Sequence, residues 1–504
     1  MNSDTDLIVV GPAPDAPLAA LYLRRLMPRR PLTLVITPDE PDPIGETATP
    51  LLLQQLANVM GIAREDLHLI AKPVWSLGYQ MKWGARGSFA RAFEAPFAST
   101  PGGHTTPVAA LAVAEGFSNA STGIALLEAG KLFPRDRKNS IRIIDQICGL
   151  QLAPAPFTEL LVRGCKAAGA TVIHGTPEEI RVEKDRVSSI TVNGSELPAT
   201  GMVIDLTGRD ALIRKHLPGH AWSPTTADGL CTRAWTAVRR RGSEPIRSGA
   251  MVETLDGGWR WRVEHRESIG FGLAFHPEFT SEEEALRLLR EKVDQPIAEP
   301  RLHQWEHGHH AETWVGNVVA MGSTASFLGP LTGTRLPMIL QQIHHFGRLI
   351  AEAETKPGET CRRLFHISTR QAWQEIHDFT SILHRFNTAS ESAWWQHSRE
   401  HASCGDHEEF LALYQQGGAH PVLHHALPFG NSALGLDTWL AALVGLGIPV
   451  AHPPRIPAAA LEAWRSQVKA NADTARSGVT QAVFIDAMNT QIGRRPKPEK
   501  FYGD

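Results

Sequence analysis

The chain has 504 residues, 42% hydrophobic and 20% charged, with 50 basic against 53 acidic side chains and a formal net charge of -3. Such a balance supplies no concentrated positive field for nucleic acid or an anionic membrane. It describes a globular chain long enough for a large core and two lobes.

The first residues, MNSDTDLIVV, are acidic at the front and lack an apolar segment before a small-residue cleavage site, so no signal peptide is expected. Residues 7–10 form a short β-branched run that stops at Gly11. Residues 17–26 carry apolar side chains at helical spacing, and residues 31–36 form a second apolar run. Strand, turn, helix and strand in about 30 residues predict a βαβ unit of a parallel sheet. Residues 157–168 are amphipathic, 170–174 read as a strand, and 179–192 as a hairpin turning near Asp185. A further strand over 201–205 runs into Leu206, Thr207, Gly208 and Arg209.

Alternating runs from 234 to 275 predict an antiparallel sheet, and the basic run 233–241 reads as a solvated strand end. Beyond Leu336 the chain turns helical and rich in Trp and His, with a turn-rich loop over 415–435. The expected division is 1–340 for the α/β part and 341–504 for a mainly helical lobe. No run approaches the roughly 18 uncharged apolar residues of a membrane span. Five scattered cysteines without a CxxC pair read as reduced thiols, and the expected compartment is the cytoplasm.

Four stretches carry a family resemblance. GGWRWRV at 257–263 is followed by GFGLAF at 270–275 and the acidic helix start SEEEA at 281–285. IGETATP stands at 44–50, WVGNVVAMG at 314–322 runs on into FLGPL at 327–331, and Trp439 opens a segment closing on Gly445, Gly447 and Pro449. Taken in chain order, they resemble the flavin-dependent tryptophan halogenases over about residues 7–450. The resemblance implies an α/β, FAD/NAD(P)-binding, flavin-monooxygenase-like fold. Its parts would be a parallel sheet, an antiparallel substrate sheet and the helical C-terminal lobe.

It also implies FAD as cofactor, a flavin reductase as partner, an aromatic substrate and a homodimer. The positions it assigns to the cofactor are Gly11, Ala13, Ala16, Gly45, Glu46, Thr47, Asp205, Gly322, Thr334 and Arg335. Glu46 and Asp205 would serve there chiefly by main-chain bonding. Trp259 and Trp261 alternate along one strand, share a face and read as packing residues. Trp394 and Trp395 join them as substrate-lining or packing residues.

The resemblance further implies a relay in which hypohalous acid passes from the flavin to a lysine beside the substrate, assisted by a glutamate. Here Ser76 stands at the lysine's place and Thr332 at the glutamate's. A hydroxyl replaces neither an ammonium donor nor a base near neutral pH. The Gly-rich phosphate turn reads GPAPDAP at 11–17. Ala13 adds a methyl at the close-approach position, three prolines remove amide donors, and Asp15 adds a negative charge where a diphosphate would sit. Ile36 stands where a ribose-binding acid is expected. Arg335 replaces a glycine whose amide helps hold halide, and its side chain would fill that space or supply positive charge to an anion.

These departures predict poor FAD binding or none, and a pseudoenzyme that binds an aromatic molecule, a peptide side chain or an active paralogue. The alternative is a working FAD-dependent monooxygenase, or a halogenase with relocated residues, acting on a tryptophan-like substrate. His397, His401, Cys404 and His407 fit no standard zinc spacing, and His303, His307, His309 and His310 scatter, so no metal is expected.

Overall fold

The computed structural model describes residues 6–39, 44–94, 97, 106–225, 229–293, 297–331, 333–351, 357–419, 421–427 and 432–493. The N-terminal βαβ unit forms as β1 (Leu7–Gly11), α1 (Asp15–Leu26) and β2 (Leu32–Ile36). β1 pairs in parallel with β2 on one side and with Met202–Asp205 on the other. Thr171–His174 extends the sheet beyond β2, and Val318–Ala320 extends it beyond Met202–Asp205. Trp314–Val315 closes that edge as the antiparallel sixth strand.

α1 is buried from Asp15 through Leu23 because it is covered on several sides. The sheet lies against one face, while Pro154–Ala167 and α2 (Arg335–Ala351) pack against others. Pro17 is tolerated in the first turn, where an amide has no intrahelical acceptor to lose.

A seven-stranded mixed sheet lies beside this unit, in the order Arg301–Gln304, Arg233–Arg240, Ser268–Phe275, Gly258–Glu264, Ala250–Leu255, Gly78–Lys82 and Phe89–Ala92. The basic run over 233–241 is solvated only in part: Arg240 is exposed, while Arg239 and Arg241 turn inward. Arg241 pairs with Glu264, which is wholly buried, and Arg239 pairs with Glu244 2.6 Å away. The buried carboxylate of Glu264, two strands away in the sheet, draws the Arg241 guanidinium inward, because an unpaired charge there would be costly.

α3 (Glu359–Arg385), Ala393–His401 and Leu436–Leu446 build the helical part. One contiguous apolar cluster runs from Leu7 through Trp259 and Trp439 to Met488. Among the described residues no helix is long and apolar enough to cross a membrane.

Candidate functional site

A cavity of about 480 Å³ opens beyond the C-terminal ends of β1 and β2, the edge at which open α/β sheets bind ligands. Pro12, Ala13, Pro14 and Asp39 line one end, with Gly45, Glu46 and Thr47 from the next loop. The mixed sheet contributes Trp261 and Val263, and α2 contributes Arg335 and Met338. Aromatic rings dominate the interior: Tyr79, Phe157, Trp261, Trp305, Phe327 and Trp373.

The turn after β1 has few donors. Pro12, Pro14 and Pro17 have none, and the amides of Ala16 and Leu18 are tied back to the carbonyls of Pro12 and Pro14. Asp15 is the first residue of α1, so its carboxylate sits at the positive end of the helix dipole. That carboxylate is buried and paired with the Arg335 guanidinium, which also donates to Glu46. Burial pushes the Asp15 carboxyl up against the opposing pull of Arg335. Burial works against the Arg335 charge too, but the two carboxylates win and raise its pKa above the ordinary guanidinium value. Arg335 thus bridges the start of α1 and the 44–50 loop across one end of the cleft. This bridge was absent from the sequence reading of Glu46.

Two glycines make the loops fit. Gly45 has φ of +69°, and an added Cβ would lie 2.1 Å from the Leu152 carbonyl oxygen. Gly333 has φ of +61°, and its Cβ would lie 2.1 Å from the Tyr79 hydroxyl. Gly322 lines the cavity with φ of +57° and donates its amide to Gln342 Oε1 at 2.7 Å. Thr334 lines the cavity beside Arg335.

Other expected positions fall elsewhere. Asp205 is fully buried and spent on its own loop: it accepts from the Thr207 amide and hydroxyl and from the amides of Ile213 and Arg214. Gly11 ends β1, and Ala16 is buried inside α1. Ser76 is fully buried, with its hydroxyl 3.3 Å from both the carbonyl oxygen and the amide nitrogen of Gly78. It is not among the cavity-lining residues. Thr332 lies outside the described residues.

Trp259 is almost fully buried, with its ring edge-on to Trp83, whereas Trp261 is half-buried and reaches the cavity. Trp261 lies flat over Gly272, where any Cβ would sit 2.2 Å from the indole. Trp394 and Trp395 are core residues, stacked on His276 and set edge-on to Trp83 respectively.

The histidine run does not converge. His397 and His401 stack on each other at 4.0 Å between centroids, while His407 turns inward to donate to Asp378 at 2.8 Å. Cys404 is buried beside Arg385. His303 bonds Thr236, His307 contacts the Cys231 carbonyl oxygen, and His309 and His310 pack on Trp373 and Trp222. Among the described residues no three His, Cys, Asp or Glu side chains are grouped to hold a metal.

Sequence reasoning missed Asp39. It lies three residues beyond the end of β2, takes a hydrogen bond from Thr37 at 2.9 Å and lines the cavity close to where a ribose acid was sought at Ile36. An acid within a turn's length of a strand end was the available signal. Trp305 and Trp373 were also missed as cavity residues, because strands and helices far apart in sequence bring them together.

A family model described as tryptophan halogenase matches residues 6–460. Tryptophan 7-halogenase RebH of Lentzea aerocolonigenes is 23% identical over 227 residues, which is 43% of this chain and 42% of that protein. The aligned part therefore spans less than half of this curated relative. Among solved structures, Tar14, a tryptophan C-6 flavin-dependent halogenase from taromycin biosynthesis, superposes with a TM-score of 0.86 at 17% identity. It covers 96% of this chain and 100% of that one. MibH, a lathipeptide tryptophan 5-halogenase, gives 0.84 at 23% identity, covering 96% and 94%. At such identities the structural likeness shows the shared fold.

Proposed function

The chain belongs to the tryptophan halogenase family, and from that premise we propose that it is a non-halogenating member whose cleft binds a small aromatic molecule in place of FAD. The family is flavin-dependent, so FAD is the group against which the cleft must be tested. A dinucleotide needs its diphosphate on the amides at the start of α1. In this chain the Asp15 carboxylate already occupies that helix end, clamped by Arg335. To seat there, a diphosphate would have to displace an ion pair and face Asp15 and Glu46 with few amides to compensate. The residues do not fit the group. That clamp is the observation that carries the proposal.

The relay residues agree with it. Ser76 has a buried hydroxyl engaged with Gly78, so it presents no ammonium to a reacting atom. What remains is an aromatic-lined cavity of about 480 Å³, within the on the order of 300–1,000 Å³ typical of small-molecule sites. The test is equilibrium titration of the purified protein with oxidised FAD and, without oxygen, with reduced FAD. The expected outcome is a colourless protein that takes up neither. A yellow protein with one FAD per chain would overturn the proposal and favour an oxidising flavoenzyme.

A further inference from the structure

We infer that the cavity takes a planar aromatic cation, a fused-ring amine without carboxylate or phosphate; this rests on the reading that the cleft does not seat FAD. Three features carry it. The first is the wall. Trp261, Trp305 and Trp373 with Phe327 enclose the interior, and indole faces attract a cation more strongly than other rings do.

The second feature is charge. Among the described lining residues, Asp39 and Glu46 stand against one arginine, Arg335, which is paired with Glu46 and with the buried Asp15 at the β1–β2 end. Arg91 lies outside the lining, with its guanidinium 4.5 Å from the Tyr79 ring centroid. The carboxylates outnumber the cation that touches them, so this end of the cavity favours positive charge and repels a diphosphate.

The third is unmet hydrogen bonding. Thr47 and Tyr79 line the cavity, are 4% and 5% exposed, and turn their hydroxyls towards each other without a well-formed hydrogen bond to any group. Buried polar groups are rarely left so. A fused-ring cation, whose amino groups and protonated ring nitrogen all donate, would give these hydroxyl oxygens N–H groups to accept.

Three tricyclic probes of similar ring size separate the possibilities: proflavine as the cation, riboflavin as the neutral ring and FAD as the phosphate anion. Binding is read by probe polarisation and by quenching of protein tryptophan emission, with the full chain at low and high salt. Proflavine should bind at least about tenfold more tightly than riboflavin, in line with a desolvated cation–π contribution, and FAD should not bind. Asp39→Asn removes an exposed charge at the cavity mouth, so folding should be untouched. It should weaken proflavine about threefold to tenfold, as loss of one partly screened charge does, and leave riboflavin unchanged. Trp261→Leu should weaken both.

If riboflavin binds as well as proflavine while FAD does not, the charge inference fails and the non-halogenating reading stands. If FAD binds tightly, both fail. If no probe binds, or if Asp39→Asn leaves proflavine unaffected, the inference fails alone.

Discussion

The guanidinium of Arg335 and the carboxylate of Asp15 lie 320 residues apart in the chain and are hydrogen-bonded across the cleft. Because Arg335 also holds Glu46, three segments meet at one cation. Removing that cation leaves two carboxylates facing each other, one of them buried. Arg335→Met should therefore destabilise the fold by about 2 kcal/mol, less than the roughly 3–5 of a fully buried pair because the side chain keeps some solvent contact. Asp15→Ala combined with Arg335→Met should cost less than the two singles added together. Urea unfolding of the four proteins of the cycle measures this. Strict additivity would mean that the clamp is not coupled.

The two tryptophans of Gly258–Glu264 should behave differently although they share a strand face. Trp259 is 1% exposed and meets Trp83 edge-on. Trp259→Ala should cost about 3–5 kcal/mol, the range for truncating a core aromatic. Trp261 opens onto the cavity, so part of the hole left by Trp261→Ala merges with existing space, and the cost should be about 1–2 kcal/mol. Chemical denaturation separates the two. Equal losses would contradict the assignment of Trp261 to the cavity wall.

Much of the frame was legible because it is written locally. Residues 7–36 announce β1, α1 and β2 by a β-branched run, a helical period and a second run. The hairpin near Asp185 appears as Pro177–Glu183 paired with Arg186–Val192. The main-chain bonding of Asp205 was readable, since an acid closing a strand before Thr and Gly tends to bond its own loop, but its place away from the cavity lining was not. The clamp was not readable as a clamp. Asp15 and Arg335 each stood out as a misfit in a familiar turn, but nothing local says that the two misfits neutralise one another. The burial of Arg239 and Arg241 was hidden for the same reason: their partners, Glu244 and Glu264, decide it.

Acid should weaken the fold through buried neutral histidines. Burial lowers His265, His307 and His384 to about 4, against an ordinary value of about 6.5 in the unfolded chain. Between those values the unfolded chain binds the extra protons, so stability is complete above about pH 6.5 and is lost as pH falls towards 4. Each ring sacrifices at most about 1.4 kcal/mol per pH unit in that window. His384 sits edge-on to Trp83 and contacts the Thr380 carbonyl oxygen. His384→Leu should reduce the proton uptake on unfolding by about one, read from the slope of unfolding free energy between pH 6 and 4.5. An unchanged slope would show that this ring is protonated in the fold.

Glu375 sits in α3 with no solvent exposure, yet it is surrounded by donors. Its carboxylate accepts from the Ser432 hydroxyl and the Ala433 amide, both at 2.6 Å, and from Trp439 Nε1 at 3.0 Å. The Leu434 amide adds a longer contact at 3.4 Å. One acid therefore anchors the segment that leads into Leu436–Leu446 and fixes the indole that packs on Phe379. Glutamine has the same shape but turns one acceptor into a donor. Glu375→Gln would aim an NH₂ at an amide or a hydroxyl and forfeit the charge on the remaining bonds. The expected loss is about 2–3 kcal/mol, because hydrogen bonds to a buried charge are stronger than neutral ones. Hydrogen exchange should locate the damage: the Ala433 and Leu434 amides should exchange faster than the loss of global stability alone explains. Exchange that rises uniformly across the helical lobe would instead mean that the carboxylate supports the core without pinning this segment.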